Sequence, residues 1–315
     1  MKAVPFLVTA FVAIAAQATG AAPSRVVSTN LCADEYVYRL VPRDRIAALS
    51  WLAGDRNPVV STIAGDVAGI PLIRPSAETV LDLKPDLVVF YDGTEPRLRA
   101  QLAETGIRAL EIPWANSLSD IRKTTRQVGA ALGESVKAEA LVAQMDALLD
   151  RTRPATPPVP ALVYEPNGYA TSGAPTDEIM AAAGLSDAAP EMNLTRSGTI
   201  PVESVIAAAP QLLILNGAAR VPESRAELVL HHPALRLLRG KSLIASLSLT
   251  PLLCPGPWSV SVVPQLAHLG ALARAHRPRA RTLRFPHSPI GARGQGEGAV
   301  ERARRLNLPS MLKHG

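Results

Sequence analysis

Two stretches of the chain carry the same order of apolar and polar positions. In the first, Pro75-Ser76-Ala77-Glu78 leads through Thr79 to Lys84, then Pro85-Asp86, then the unbroken apolar run Leu87 to Tyr91. In the second, Ile200-Pro201-Val202-Glu203 leads through Ser204 to Ala209, then Pro210-Gln211, then the apolar run Leu212 to Leu215. Ser76 suits a helix N-cap and Pro201 a first helical turn. Glu78 and Glu203 fall in that first turn, where the helix dipole favours a negative charge. The Pro then stops each helix. An apolar run without alternation reads as a strand buried on both faces, as in a parallel sheet. Two such helix–stop–strand units, about 125 residues apart, predict two similar α/β lobes.

The rest of the pattern fills in around these units. Further strands are predicted over 25–30, 45–50, 107–112, 161–164 and 243–246. Helices are predicted over 31–41, 97–105, 117–133, 177–183, 222–230 and 260–274. A helix over 134–151 carries Leu141, Val142, Met145, Leu148 and Leu149 on one face and would be about 27 Å long. The Pro-rich stretch 153–160 ends it and marks a boundary. The predicted organisation is an N-terminal lobe over 23–133, a connecting helix over 134–152 and a C-terminal lobe over 153–275.

The two ends differ from this body. Residues 1–22 read as a secretory signal peptide, with Lys2, an apolar core from Val4 to Ala16 too short to span a bilayer, and small residues at the cleavage site. With no cysteine before Cys32, the expectation is a soluble exported protein, periplasmic and without a lipid anchor. Residues 276–315 are rich in Arg, Pro and Gly and are expected to be a disordered or loosely attached tail. The charge divides the same way. The last 45 residues hold ten Lys and Arg against two Glu, so the overall +6 becomes −2 for the rest. The body therefore has no nucleic-acid footprint.

The segments Arg25-Val-Val-Ser-Thr-Asn-Leu-Cys-Ala-Asp34, Ser76-Ala-Glu78 through Val89, Thr171-Ser-Gly173 and Val202-Glu203 through Leu215, in this order, carry a resemblance. The chain resembles, over roughly residues 24–275, the class III solute-binding proteins of ABC importers, a group that includes periplasmic cobalamin-binding and ferric-siderophore-binding proteins. The resemblance implies two small Rossmann-like α/β lobes with parallel sheets, joined by one long helix, and a ligand cleft between them. It implies a monomeric binding component rather than an enzyme. Its partners would be the transmembrane permease and a corrinoid or ferric-siderophore ligand, with haem as an alternative. It implies no cofactor beyond the metal inside the ligand. It also implies that Glu78 and Glu203, one per lobe, dock onto the permease, although each equally suits a first helical turn for local reasons. An exported α/β enzyme is the competing class, but no dinucleotide, phosphate-loop or nucleophile-elbow motif is present.

Open α/β sheets place ligand-contacting loops at the carboxyl ends of their strands. In a chain with 4% aromatic residues, Trp51, Tyr91, Tyr164, Tyr169 and Trp258 fall in or near such loops and are the candidate ligand-binding residues. Each would equally serve to pack a loop onto its own lobe. Trp114 is a weaker candidate, as are the polar residues Asp55, Arg56, Asp92 and Arg220. Cys32 and Cys254 are a candidate disulfide across the cleft; two free thiols and thiolate ligation of a metal in the ligand are the rival readings. All six histidines follow residue 230, so the first lobe supplies none, which counts against a bare-metal site.

Overall fold

Unbroken apolar strands need cover on both faces. The computed structural model, which describes residues 21–276 apart from 58, 153, 155 and 218–223, supplies that cover twice. The expected signal peptide up to residue 20, the tail from residue 277, Arg220 and the first two residues of the helix predicted over 222–230 lie outside the described residues.

The first lobe runs β1 (Val26–Ser28), α1 (Leu31–Leu40), β2 (Ile46–Ser50), β3 (Leu72–Ile73), α2 (Ala77–Asp82), β4 (Leu87–Tyr91), α3 (Pro96–Ala103) and β5 (Arg108–Ile112). Its sheet has the order β3-β2-β1-β4-β5 and is parallel throughout. Strand β4 shows why its sequence lacks polar alternation. Leu87, Val89 and Tyr91 enter one apolar cluster with Tyr36, Val37 and Leu40 of α1. Val88 and Phe90 enter another with Val80, Leu98 and Leu102 of α2 and α3.

The second lobe contains β6 (Val159–Tyr164), β7 (Tyr169–Thr171), α6 (Thr176–Ala182), β8 (Leu185–Asp187), β9 (Gly198–Thr199), α7 (Val202–Ala208), β10 (Leu212–Asn216), β11 (Leu243–Leu247) and α8 (Val263–Ala275). Strand β10 repeats the behaviour of β4. Leu212 and Ile214 pack on one side, Leu213 and Leu215 on the other. The repeat reaches the backbone: Lys84 (φ 47°) and Ala209 (φ 45°), each preceding the helix-stopping Pro, both adopt the left-handed conformation.

This second sheet is mixed, which corrects the expectation of two parallel sheets. Its order is β11-β10-β6-β7-β9, with β8 beside the start of β6; β7 and β9 run antiparallel to their neighbours. The cause is local. Asn167 (φ 61°) and Gly168 (φ 75°) turn the chain back directly after β6, so β7 returns as a hairpin partner. The helix predicted over 222–230 is instead 3₁₀ over Arg225–His231.

Between the lobes lie α4 (Leu118–Leu132) and α5 (Ser135–Arg151). Ser117 caps α4 by accepting the Asp120 N–H, and Gly133 closes it at φ 73°. Helix α5 spans both cores: Ala138 and Leu141 pack in the first lobe, Met145, Leu148 and Leu149 in the second. Helix α4 runs beside it in the opposite sense, with Ile121 in the second core and Val128 and Leu132 in the first. Arg122–Asp146 (2.7 Å) and Arg126–Glu139 (2.7 Å) link the pair. Arg45, bonded to Glu134 Oε1 at 2.6 Å and to the Leu132 carbonyl at 2.8 Å, anchors their turn to the first lobe.

Candidate ligand cleft

The loops at the carboxyl ends of the strands enclose a cavity of about 700 Å³. Val59 and Trp114 line it from the first-lobe side; Glu165, Tyr169, Thr171, Ser172, Ser197, Thr199, Asn216, Leu252 and Leu253 line it from the second. The hairpin that makes the sheet mixed thus builds much of one wall. Its hydroxyls are held from behind: Ser172 Oγ donates to Asp187 at 2.5 Å, and Ser197 Oγ accepts the Ser172 N–H at 3.0 Å. Glu165, just past the end of β6, receives Thr171 Oγ1 (2.7 Å) and Asn216 Nδ2 (3.1 Å) on the same oxygen. Asn216 Oδ1 in turn accepts the Leu249 N–H at 2.7 Å.

The five aromatic candidates part company here. Tyr169 lines the cavity and is 40% exposed. Tyr91 is buried, with its ring edge-to-face against Trp114 at 5.8 Å, so it supports a lining residue without itself reaching the cavity wall. Burial, with smaller effects of Tyr36 and Asp92, pushes its phenol well above the usual range. Tyr164 is fully buried and donates its hydroxyl to the Ile200 carbonyl at 3.0 Å, stitching β6 to the segment before α7. The reason is parity: in a strand buried on both faces, the last residue still belongs to a core. Trp51 is exposed beyond the lining, under the Arg74 guanidinium at 4.1 Å. Asp55, Arg56 and Asp92 also lie outside the lining.

Trp258 belongs to the seam between the lobes. Its ring meets Tyr36 edge-to-face at 4.8 Å, carries the Arg39 guanidinium at 4.7 Å, and donates Nε1–H to the Cys254 carbonyl at 2.9 Å. Along the same seam Cys32 of α1 and Cys254 of the second lobe form a disulfide, and Tyr36 donates its hydroxyl to the Pro255 carbonyl at 3.1 Å. Between these two residues of α1, Cys32 and Tyr36, Asp34 is wholly buried and accepts the Ser50 N–H and hydroxyl, fixing the end of β2 just before Trp51. Burial pushes its carboxyl up to about 7, against the lowering effect of hydrogen bonds from Ser28 and Ser50.

Glu78 and Glu203 are both exposed in the first turns of α2 and α7. Neither makes an ion pair or side-chain hydrogen bond among the described residues. Trp114, the weaker aromatic candidate, lines the cavity, and Glu165 and Asn216 are lining residues that a search for aromatics passes over. Glu165 and Asn216 did have a signal: each is the first polar residue after an apolar strand, at the carboxyl end where such sheets bind ligands. Among the described residues no group of three His, Cys, Asp or Glu side chains is placed to hold a metal ion, and no helix is long and apolar enough to cross a membrane.

The chain is similar to several known proteins. The haem-binding protein RhuT of Roseiflexus sp. RS-1 aligns at 23% identity with a TM-score of 0.62, over 79% of this chain and 98% of that one. An ABC-type Fe3+-hydroxamate transport protein of Saccharomonospora viridis DSM 43017 aligns at 19% identity and TM-score 0.59, over 79% and 93%. The vitamin B12-binding protein BtuF of Vibrio cholerae aligns at 15% identity and TM-score 0.55, over 80% and 98%. At these identities the likeness is one of fold. A curated relative, the uncharacterized ABC transporter substrate-binding lipoprotein YvrC of Bacillus subtilis (strain 168), is 27% identical over 126 residues, 39% of this chain; the match spans 38% of that relative's length. A family model described as periplasmic binding protein matches residues 26–239, from the first strand through the second copy of the repeat. With that match across both lobes, the chain belongs to the periplasmic binding protein family.

Proposed function

We propose that this protein is the solute-binding component of an ABC importer, and that the cleft captures a metal chelate, cobalamin or a ferric siderophore, for delivery to the permease. The observation that carries the reading is the cavity of about 700 Å³ between the lobes. Its volume suits a large organic ligand, and its lining pairs aromatic rings with a small set of polar groups. The metal is cargo inside the ligand. Glu78 and Glu203, exposed at equivalent places in the repeat, supply one carboxylate per lobe for docking on a basic permease surface.

Trp114 reports occupancy. Titration of the purified protein with cyanocobalamin and a panel of ferric siderophores, following Trp fluorescence, should give saturable one-to-one quenching by a member of one class, and Trp114→Phe should lose most of that signal. Silence towards both classes sinks the reading of cobalamin or a ferric siderophore as the ligand. Charge reversal at both docking positions, Glu78→Arg with Glu203→Arg, should abolish uptake in cells and leave the titration unchanged. Normal uptake by the double variant removes the docking role.

A further inference from the structure

Glu165 is the only charged side chain among the described residues that line the cavity. Its surroundings are unusual for a solvated surface carboxylate. Both hydrogen bonds it accepts, from Thr171 Oγ1 and Asn216 Nδ2, converge on Oε1. Asn216 is itself held by the Leu249 N–H, so the donor that orients Glu165 is also oriented. These bonds fix a carboxylate that lines the cavity, and no described residue donates to its Oε2. Behind the same wall stand two more carboxylates, Asp187 on Ser172 Oγ and Asp177 on the Gly173 N–H. No Lys, Arg or His is present among the described lining residues to offset them.

A purely structural role would be complete with Oε1 alone, since those two bonds already tie β7 and β10 to the end of β6. The second oxygen has a different consequence. A carboxylate acceptor in a partly enclosed site rewards a donor and penalises another anion, because water screens neither interaction well there. We propose that Glu165 determines specificity in the cleft. Its Oε2 receives an ammonium, amide N–H or hydroxyl on the periphery of the ligand, and the cation-free wall selects against chelates that present carboxylates there. This inference rests on the chelate-binding reading above and narrows it to uncharged or cationic, donor-bearing chelates.

Glu165→Gln is a clean test. The amide oxygen can still accept from Thr171 and Asn216, whereas the charge and the free carboxylate oxygen are lost. Wild type and variant would be titrated with four probes: cyanocobalamin, ferrioxamine B with its free ammonium, N-acetylated ferrioxamine B without it, and haemin with its two carboxylates. In the wild type, ferrioxamine B should bind more tightly than its acetylated form, or cyanocobalamin more tightly than haemin, by about tenfold, the size of one charge-assisted hydrogen bond. Glu165→Gln should remove most of that margin with an unchanged thermal midpoint. The inference alone is overturned if haemin is the tightest wild-type ligand, if the variant keeps the wild-type order and margin, or if it weakens every probe equally. If no probe binds the wild type, the chelate reading and this inference fall together.

Discussion

The two lobes share a scaffold but differ at the cleft. In the first, β2-β1-β4-β5 run parallel; in the second, β8-β6-β10-β11 do the same, with α2 and α7 in equivalent places before β4 and β10. The helix-stopping prolines and the left-handed residues before them coincide as well. The difference is the hairpin strand β7 with its partner β9, which has no counterpart in the first lobe. That addition brings in Tyr169, Thr171, Ser172 and Thr199, whereas the first lobe lines the cavity with Val59 and Trp114. The polar lining of the cavity is therefore concentrated in the second lobe, and the first contributes Val59 and Trp114. The repeated unit builds the matching parts of the two halves; the departure from the repeat builds much of the polar cavity wall.

The strongest test of the shared scaffold is a matched truncation. Leu87 and Leu212 are the first buried residues of β4 and β10. Leu87→Ala and Leu212→Ala should each cost about 2–5 kcal/mol of unfolding free energy in urea titrations. A loss below about 1 kcal/mol in one lobe, with a full loss in the other, would break the equivalence.

The seam comes next, because it joins the unlike halves. Replacing both Cys32 and Cys254 by Ser should lower stability by about 2–4 kcal/mol, since the bridge closes a very long loop in the unfolded chain. Unchanged denaturation would assign the seam to Tyr36 and Trp258 alone.

A smaller contrast lies in the first turns of α1 and α6. Asp34 is wholly buried, with its carboxyl raised from 3.8 to about 7. Asp177 is partly exposed and is raised by burial and then by Asp187. A carboxyl raised on folding holds its proton in the folded state, so its favourable contribution is greatest below the unfolded value and is lost as pH rises towards the folded one. Stability should thus decline between about pH 4 and 7, by up to about 1.4 kcal/mol per pH unit from Asp34. Asp34→Asn should flatten that decline in thermal melts across the window, and Asp177→Asn should flatten it less. Equal effects would mean that burial is not the controlling difference.

The smallest expected effect probes the shared turn. Lys84→Gly and Ala209→Gly should each add about 0.5–1 kcal/mol, because glycine enters the left-handed region without the steric cost borne by other residues. A gain at one turn and a loss at the other would show that the turns are alike only in their φ values.

Much of the scaffold was legible from hydrophobic pattern. The two apolar runs, the stops at Pro85 and Pro210, the Ser117 cap and the long helix ending at Arg151 all depend on residues close in sequence. The 3₁₀ form of 225–231 and the hairpin after β6 were less legible, because short segments carry little periodic signal. Aromatic placement misled at Tyr91 and Tyr164. Both stand at strand ends, where position suggests the cleft, but each ring is taken up by the packing of its own lobe.

Sequence pattern was enough to set where chain segments become helix or strand and that two lobes repeat one unit. Those outcomes follow from local propensity and burial pattern, which act over a few residues. Only the tertiary structure decided that Trp258 closes a seam, that Trp114 and Tyr169 face one cavity, and that Thr171 and Asn216 meet on one oxygen of Glu165. These depend on which segments distant in sequence come within hydrogen-bonding or van der Waals distance, interactions that fade within a few ångströms and leave no periodic trace along the chain.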